Sequence, residues 1–134
     1  SSDMQTLRAF READAFDGPS LILAYSPCIN HGYDLTDQLS HQDMAVKSGL
    51  WPLYRYNPNL IAKSKNPLNL DSKAPSIPVK EAAYTETRYS MLTLSDEGRA
   101  EQLMQTAQAD VNARWELYQQ MASMSYDNND ETNE

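Results

Sequence analysis

The sequence predicts an α/β segment: one buried strand with helices, then an extended Pro-rich arm and a long C-terminal helix. Three observations predict it. The first is an apolar run without polar alternation, Ser20-Leu-Ile-Leu-Ala-Tyr25, placed directly after a helical stretch. The second is the crowding of five of the seven prolines (Pro52, Pro58, Pro67, Pro75, Pro78) into one stretch that has neither helical nor strand periodicity. The third is a run of apolar residues at helical spacing from Ala100 to Ala122.

The elements follow in chain order. Asp3 to Phe16 reads as a helix, with Asp3 as N-cap, an apolar stripe of Met4, Leu7, Phe10 and Ala13, and a stop at Asp17-Gly18-Pro19. Ser20 to Tyr25 suits a strand buried on both faces of a parallel sheet, so helix, turn and strand together make half of a doubly wound unit. Thr36 to Ser48 is a second helix, ended by Gly49. Residues 51–79 form the extended arm, pinned by Trp51, Tyr54 and Tyr56, since linkers are usually poor in aromatics. A short helical piece covers Lys80 to Leu92. Ser95 caps the last helix, and Asp96 and Glu97 suit the positive end of its dipole. Along that helix Ala100, Leu103, Met104, Ala107, Val111, Trp115, Tyr118 and Ala122 share one face, a packing surface rather than a cofactor site. Ser123 to Glu134 carries four acids and no bases and is expected to be a disordered tail. The boundaries are therefore 1–50, 51–79, 80–122 and 123–134. One strand cannot make a sheet, so the chain is expected to be a fragment of a larger α/β enzyme. Its serine start is in keeping with a truncated or processed beginning, or with a trimmed tag.

Bulk properties narrow the function. The net charge of −8 argues against a nucleic-acid binder, which needs a basic face to displace phosphate counterions. From Arg55 to Arg88, however, six basic residues face three acidic ones, so this stretch reads either as solvated surface or as a basic arm lying on an acidic body. The longest apolar run is far below the roughly 20 residues that span a bilayer, so no membrane association is expected. A single cysteine excludes an intrachain disulfide framework and fits a cytoplasmic setting.

That cysteine, Cys28, is the most informative residue. It lies just past the apolar run, in the turn Ser26-Pro-Cys-Ile-Asn-His-Gly32, where open α/β folds place cofactors and substrates. Only His31 and His41 are available as near-neutral bases, no Gly-rich phosphate loop is present, and no acid is placed for a triad. Cys28-x-x-His31 supplies two metal ligands, and tetrahedral zinc would need two more, for which the chain offers His41 and carboxylates. A lone thiol past a strand is most often inert. The alternative is a thiolate given to an iron–sulfur cluster whose other ligands lie elsewhere, since four thiolates need not be close in sequence.

Several blocks carry a resemblance. They are Gln5-Thr-Leu-Arg-Ala-Phe-Arg-Glu-Ala-Asp14, Gly18-Pro-Ser-Leu-Ile-Leu-Ala-Tyr-Ser26, Cys28-Ile-Asn-His-Gly-Tyr-Asp34, Ala45-Val-Lys-Ser-Gly-Leu-Trp-Pro-Leu-Tyr-Arg-Tyr-Asn-Pro58, Leu70-Asp-Ser-Lys-Ala-Pro75 and Glu86-Thr-Arg-Tyr-Ser-Met-Leu92. In order and spacing they resemble the C-terminal end of the pyruvate:ferredoxin (flavodoxin) oxidoreductases, members of the 2-oxoacid:ferredoxin oxidoreductase family. The resemblance implies the C-terminal part of a thiamine-diphosphate-binding doubly wound domain within a large homodimeric enzyme. That enzyme uses thiamine diphosphate, Mg²⁺ and [4Fe–4S] clusters to decarboxylate pyruvate oxidatively with coenzyme A, and passes electrons to ferredoxin or flavodoxin. It also implies that Cys28 is the last of four ligands to the cluster nearest the thiamine, the other three lying upstream in the same enzyme chain. No catalytic residue is implied within these 134 residues, and the fragment alone is expected to be inactive. Backbone N–H groups of Ile29 to Gly32 are then candidate donors to cluster sulfurs, and His31 is either a group beside the cluster or a structural histidine. The arm and last helix resemble the family's wrapping segment and are assigned to subunit packing. Leu50, in place of a frequent tyrosine, and Asp37-Gln38, without a frequent glycine, depart from the pattern away from Cys28. The acidic tail replaces a cysteine-bearing extension seen in some members, so no protective C-terminal domain is expected. The competing expectation, from a different class, is a free-standing interaction module that docks through the arm and last helix.

Overall fold

The structure is a computed structural model and describes residues 2–26 and 28–126. It is mainly helical, with five α-helices and one two-stranded antiparallel sheet among the described residues. Helix α1 spans Asp3–Ala15, α2 Gln38–Lys47, α3 Val79–Ala83, α4 Thr87–Ser95 and α5 Glu97–Ser123. Strands β1 (Tyr54–Tyr56) and β2 (Leu68–Leu70) pair in the register Tyr54↔Leu70, Arg55↔Asn69 and Tyr56↔Leu68. The acidic tail expected beyond Ser123 falls largely on residues 127–134, outside the described residues.

The core is built of small side chains on helices that approach one another closely. Val79, Ala82 and Ala83 of α3, Ala45 and Ser48 at the end of α2, and Ala100 and Val111 of α5 are buried, with Pro67 and Leu68 sealing the arm side. Helix α5 packs against α4, α3 and β2. Two polar clasps fix these layers. Gln108 of α5 accepts the N–H of Val79 at 2.7 Å, closing the start of α3. Arg114 of α5 donates to the carbonyls of Gly49 and Leu50 at 3.0 and 3.1 Å, closing the end of α2. Gly49 adopts φ +77°, and a Cβ there would meet Pro75 Cγ at 2.8 Å and Val111 Cγ1 at 3.0 Å. It thus serves as the helix stop and also allows the arm and α5 to close over it.

Four expectations are corrected. Ser20 to Tyr25 forms no strand: among the described residues it has no ladder partner, and Leu21 and Leu23 are 82% and 66% exposed. A strand of a parallel sheet exists only where a neighbouring strand bonds it, and the described residues provide none for this run. Residues 51–79 are not uniformly extended. β1 and β2 close a short ladder, extended by Asn57 N–H to Pro67 O at 2.9 Å and Asp71 N–H to Leu53 O at 2.9 Å. Between them Pro58–Lys63 makes a 3₁₀ turn capped by the Asn57 side chain. Three-residue strands are too short to leave a period-2 signature, which is why the sequence does not display them. The arm also folds onto its own chain, through Ser76 N–H to Lys47 O at 2.8 Å and the Tyr54–Tyr118 ring pair at 5.3 Å. Finally, the caps are shifted by a residue: Ser2 caps α1 and Asp96 caps α5 through Arg99 N–H at 3.0 Å, and Lys80 to Leu92 is two helices broken near Glu86.

Helix α1 buries none of its residues, and Met4, Leu7 and Phe10 are about half exposed. It is tethered by charge. Arg55 makes a bidentate pair with Asp71, both bonds 2.8 Å, and also binds Glu12 of α1, while Gln5 donates to Asp71 at 3.2 Å. Met4, Leu7 and Phe10 of α1, like Leu21 and Leu23, are apolar side chains that the described chain leaves largely uncovered.

Candidate functional site

Cys28 stands at the head of a single 3₁₀ turn, Ile29–His31, and its side chain is half-buried. The turn is closed by His31 N–H to Cys28 O at 3.0 Å and Gly32 N–H to Ile29 O at 3.1 Å. Gly32 ends it in the left-handed region, φ +76°. Here the glycine is needed twice over, because a Cβ would also lie 2.5 Å from Thr87 Cβ. Thr87, the first residue of α4, donates both its N–H and its hydroxyl to the Gly32 carbonyl, at 3.1 and 2.5 Å. The N–H groups of His31 and Gly32 are thus committed within the turn, which narrows the candidate sulfur donors to Ile29 and Asn30.

The wall behind the turn is aromatic and ionic. The His31 ring lies between Tyr25 and Tyr33, with ring centroids 6.0 and 6.1 Å away. Tyr25 also packs on Trp51 at 5.4 Å and receives a hydrogen bond from Arg88 on its hydroxyl at 3.3 Å. Glu86 is nearly fully buried, bonded by Arg88 at 2.5 Å, and its other oxygen lies 3.9 Å from His31 Nδ1. That nitrogen is buried without a hydrogen-bond partner among the described residues. Burial and the neighbouring Glu86 carboxylate push the Tyr33 phenol above its ordinary range. Burial opposes the charge of Arg88, but its hydrogen bond to Glu86 keeps the guanidinium above its usual value. Between Tyr25, Trp51, Glu86, Arg88 and His41 lies an open cavity of 130 Å³, too small for a drug-sized ligand.

The sequence-predicted groups are only partly brought together. Cys28 and His31 share the turn. His41 does not join them: it stacks on Tyr33 at 3.7 Å and pairs with the Thr85 hydroxyl at 3.2 Å. No three His, Cys, Asp or Glu side chains are grouped as metal ligands among the described residues, and Cys28, His31 and His41 do not converge on one ion there. What sequence reasoning missed is the tripeptide Glu86-Thr87-Arg88. Its three side chains reach His31, Gly32 and Tyr25, some 55 to 63 positions away in sequence. The available signal was a buried-type acid at the break between two helices, just before a threonine able to donate twice.

No family model matches the chain. It is 52% identical over 123 residues to the pyruvate-flavodoxin oxidoreductase of Nostoc sp., covering 92% of this chain and 10% of that protein. It is 45% identical over 122 residues to the pyruvate:ferredoxin oxidoreductase of Moorella thermoacetica, covering 91% and 10%. To the probable pyruvate-flavodoxin oxidoreductase of Escherichia coli it is 44% identical over 127 residues, covering 93% and 11%. The chain spans about a tenth of the length of these curated relatives. With nearly its whole length aligned at this identity, the chain belongs to the pyruvate:ferredoxin (flavodoxin) oxidoreductase family, as a segment matching the C-terminal part of its members.

Proposed function

We propose that this chain is the part of a 2-oxoacid oxidoreductase that supplies Cys28 as one thiolate ligand to a [4Fe–4S] cluster. The observation that carries the reading is the turn itself. It holds a half-buried thiol at its head, is closed by its own backbone, and is locked by Thr87 at its foot. A cluster needs four thiolates and this chain offers one, so the donor set fits as one corner of a site completed by residues outside the chain. Thiamine diphosphate and Mg²⁺ are held by residues outside it as well. The proposed overall reaction takes pyruvate and coenzyme A to acetyl-CoA and CO₂, with the two electrons released passing to ferredoxin or flavodoxin. When bound, the cluster supplies one-electron transfer away from the decarboxylated substrate.

This chain's own residues have three tasks in that scheme. The turn holds the thiolate. The Tyr25–His31–Tyr33 stack, backed by Trp51, excludes water behind it. The uncovered apolar stretch Leu21 to Leu23 and the face of α1 receive the remainder of the enzyme, where residues 20–25 gain the strand neighbours they lack here. Arm and α5 contribute to packing in a homodimer in a cytoplasmic setting. Full-length enzyme carrying Cys28→Ser tests the reading: pyruvate-dependent reduction of ferredoxin should collapse. A variant that keeps the wild-type rate would refute it.

A further inference from the structure

We propose that Thr87 is a positioning residue for Cys28: its paired hydrogen bonds to the Gly32 carbonyl set where the thiolate is presented. This deepens the ligand reading above and rests on it.

The geometry leaves the turn little freedom. A peptide carbonyl has two lone pairs, and Thr87 supplies donors for both, at 3.1 and 2.5 Å. The N–H of the same Gly32 is bonded to Ile29 O, so both peptide groups flanking this α-carbon are fixed. One step back, His31 N–H holds Cys28 O. Hydrogen bonds joined by the short stretch of backbone between them therefore connect the first residue of α4 to the backbone of the proposed ligand. The Thr87 side chain also fills the space a Gly32 Cβ would take, so the two backbones meet without a gap.

The same helix start holds the other side. Arg88 reaches the Tyr25 hydroxyl at 3.3 Å, and Glu86 lies beside His31 at 3.9 Å. Residues before and after Cys28 thus both meet three consecutive residues at one helix terminus. Helix α4 is in turn packed on α5. Of the three, Thr87 alone bonds the backbone of the turn, where a shift passes directly to Cys28. Partners that orient a metal ligand commonly change metal retention 10- to 100-fold when removed.

The test uses full-length enzyme with Thr87→Ala, which deletes the hydroxyl without adding bulk, and Thr87→Ser, which restores it. The readouts are iron per protomer, the electron paramagnetic resonance spectrum of the dithionite-reduced clusters, and amide hydrogen exchange over Ile29 to Gly32. Thr87→Ala is expected to speed exchange across the turn and to shift the spectrum of one cluster, with its iron lost to a chelator about tenfold faster. Thr87→Ser is expected to return all three towards wild type. Unchanged spectra and chelation in Thr87→Ala, set beside loss of a cluster in Cys28→Ser, would overturn the positioning role and leave the ligand reading standing. A Cys28→Ser enzyme that keeps every cluster would remove the ligand reading, and the positioning role with it. A melting-temperature drop in Thr87→Ala without a spectral change would mark Thr87 as merely structural and also overturn the proposal.

Discussion

Replacing Gly49 with alanine is the sharpest test of how the layers close. Two costs add. A non-glycine residue held at φ +77° is strained by roughly 1–2 kcal/mol. The new Cβ would stand 2.8 Å from Pro75 Cγ and 3.0 Å from Val111 Cγ1, inside van der Waals contact on two sides. Val111 is only 5% exposed on α5, and Pro75 belongs to a segment bonded to α2 through Ser76, so neither yields freely. Overpacking of this kind costs about 1–3 kcal/mol. The expected loss is therefore about 3.5 kcal/mol, the middle of the combined range. In urea, with a slope near 1.5 kcal/mol/M, the midpoint should fall by about 2 M. Trp51 and Trp115 report the transition by fluorescence. A second variant separates the costs: Gly49→Ala made in a Val111→Ala background should be less damaging than in the parent, because one of the two clashes is gone. A loss below about 0.5 kcal/mol, the range of ordinary surface substitutions, would refute the close packing described for Gly49.

Other outcomes follow from named contacts. Arg55 holds the Asp71 carboxyl below its usual range, with burial opposing and Gln5 assisting. Because the folded-state value is the lower one, its contribution is complete above the unfolded carboxylate value near 3.9 and is lost as pH falls through the folded value. Asp71→Asn should therefore cost about 2 kcal/mol at neutral pH, with the difference from wild type shrinking in acid unfolding below about pH 4. Gln108→Ala leaves the buried Val79 N–H without its acceptor and should cost about 1–3 kcal/mol by urea unfolding, whereas Gln108→Glu, which keeps an acceptor, should cost less. The paired substitution Leu21→Lys with Leu23→Lys should reduce self-association of the 134-residue chain in sedimentation while lowering the yield of assembled full-length enzyme, since one surface serves both.

Helix positions were legible because each rests on local chemistry. The stops at Gly18-Pro19 and Gly49, the acidic start of α5 and its 3.6-residue stripe all act within a few residues of where they are read. Even there, the stripe overstates the core: Ala100 and Val111 are buried, while Leu103 remains half exposed. What failed was non-local. The apolar run at residues 20–25 carries the composition of a parallel strand, but composition does not supply a ladder neighbour, and the described residues offer it none. β1 and β2 are three residues each, and only their pairing, not their pattern, defines them. For the site, Cys28 stood out by its setting after the apolar run. The acid and threonine of Glu86-Thr87-Arg88 could be read locally, but nothing local links that helix start to a turn 55 residues earlier. Of the basic residues between Arg55 and Arg88, the two arginines pair with Asp71, Glu12 and Glu86 within the chain.

The most direct test of Cys28 as a cluster ligand is iron counting on full-length enzyme, wild type against Cys28→Ser, purified without oxygen and read together with the spectrum of the reduced clusters. Loss of about four irons per protomer, or retention with one cluster's spectrum changed as an alkoxide replaces the thiolate, is the expected result. Full iron with every cluster signal unaltered would contradict it.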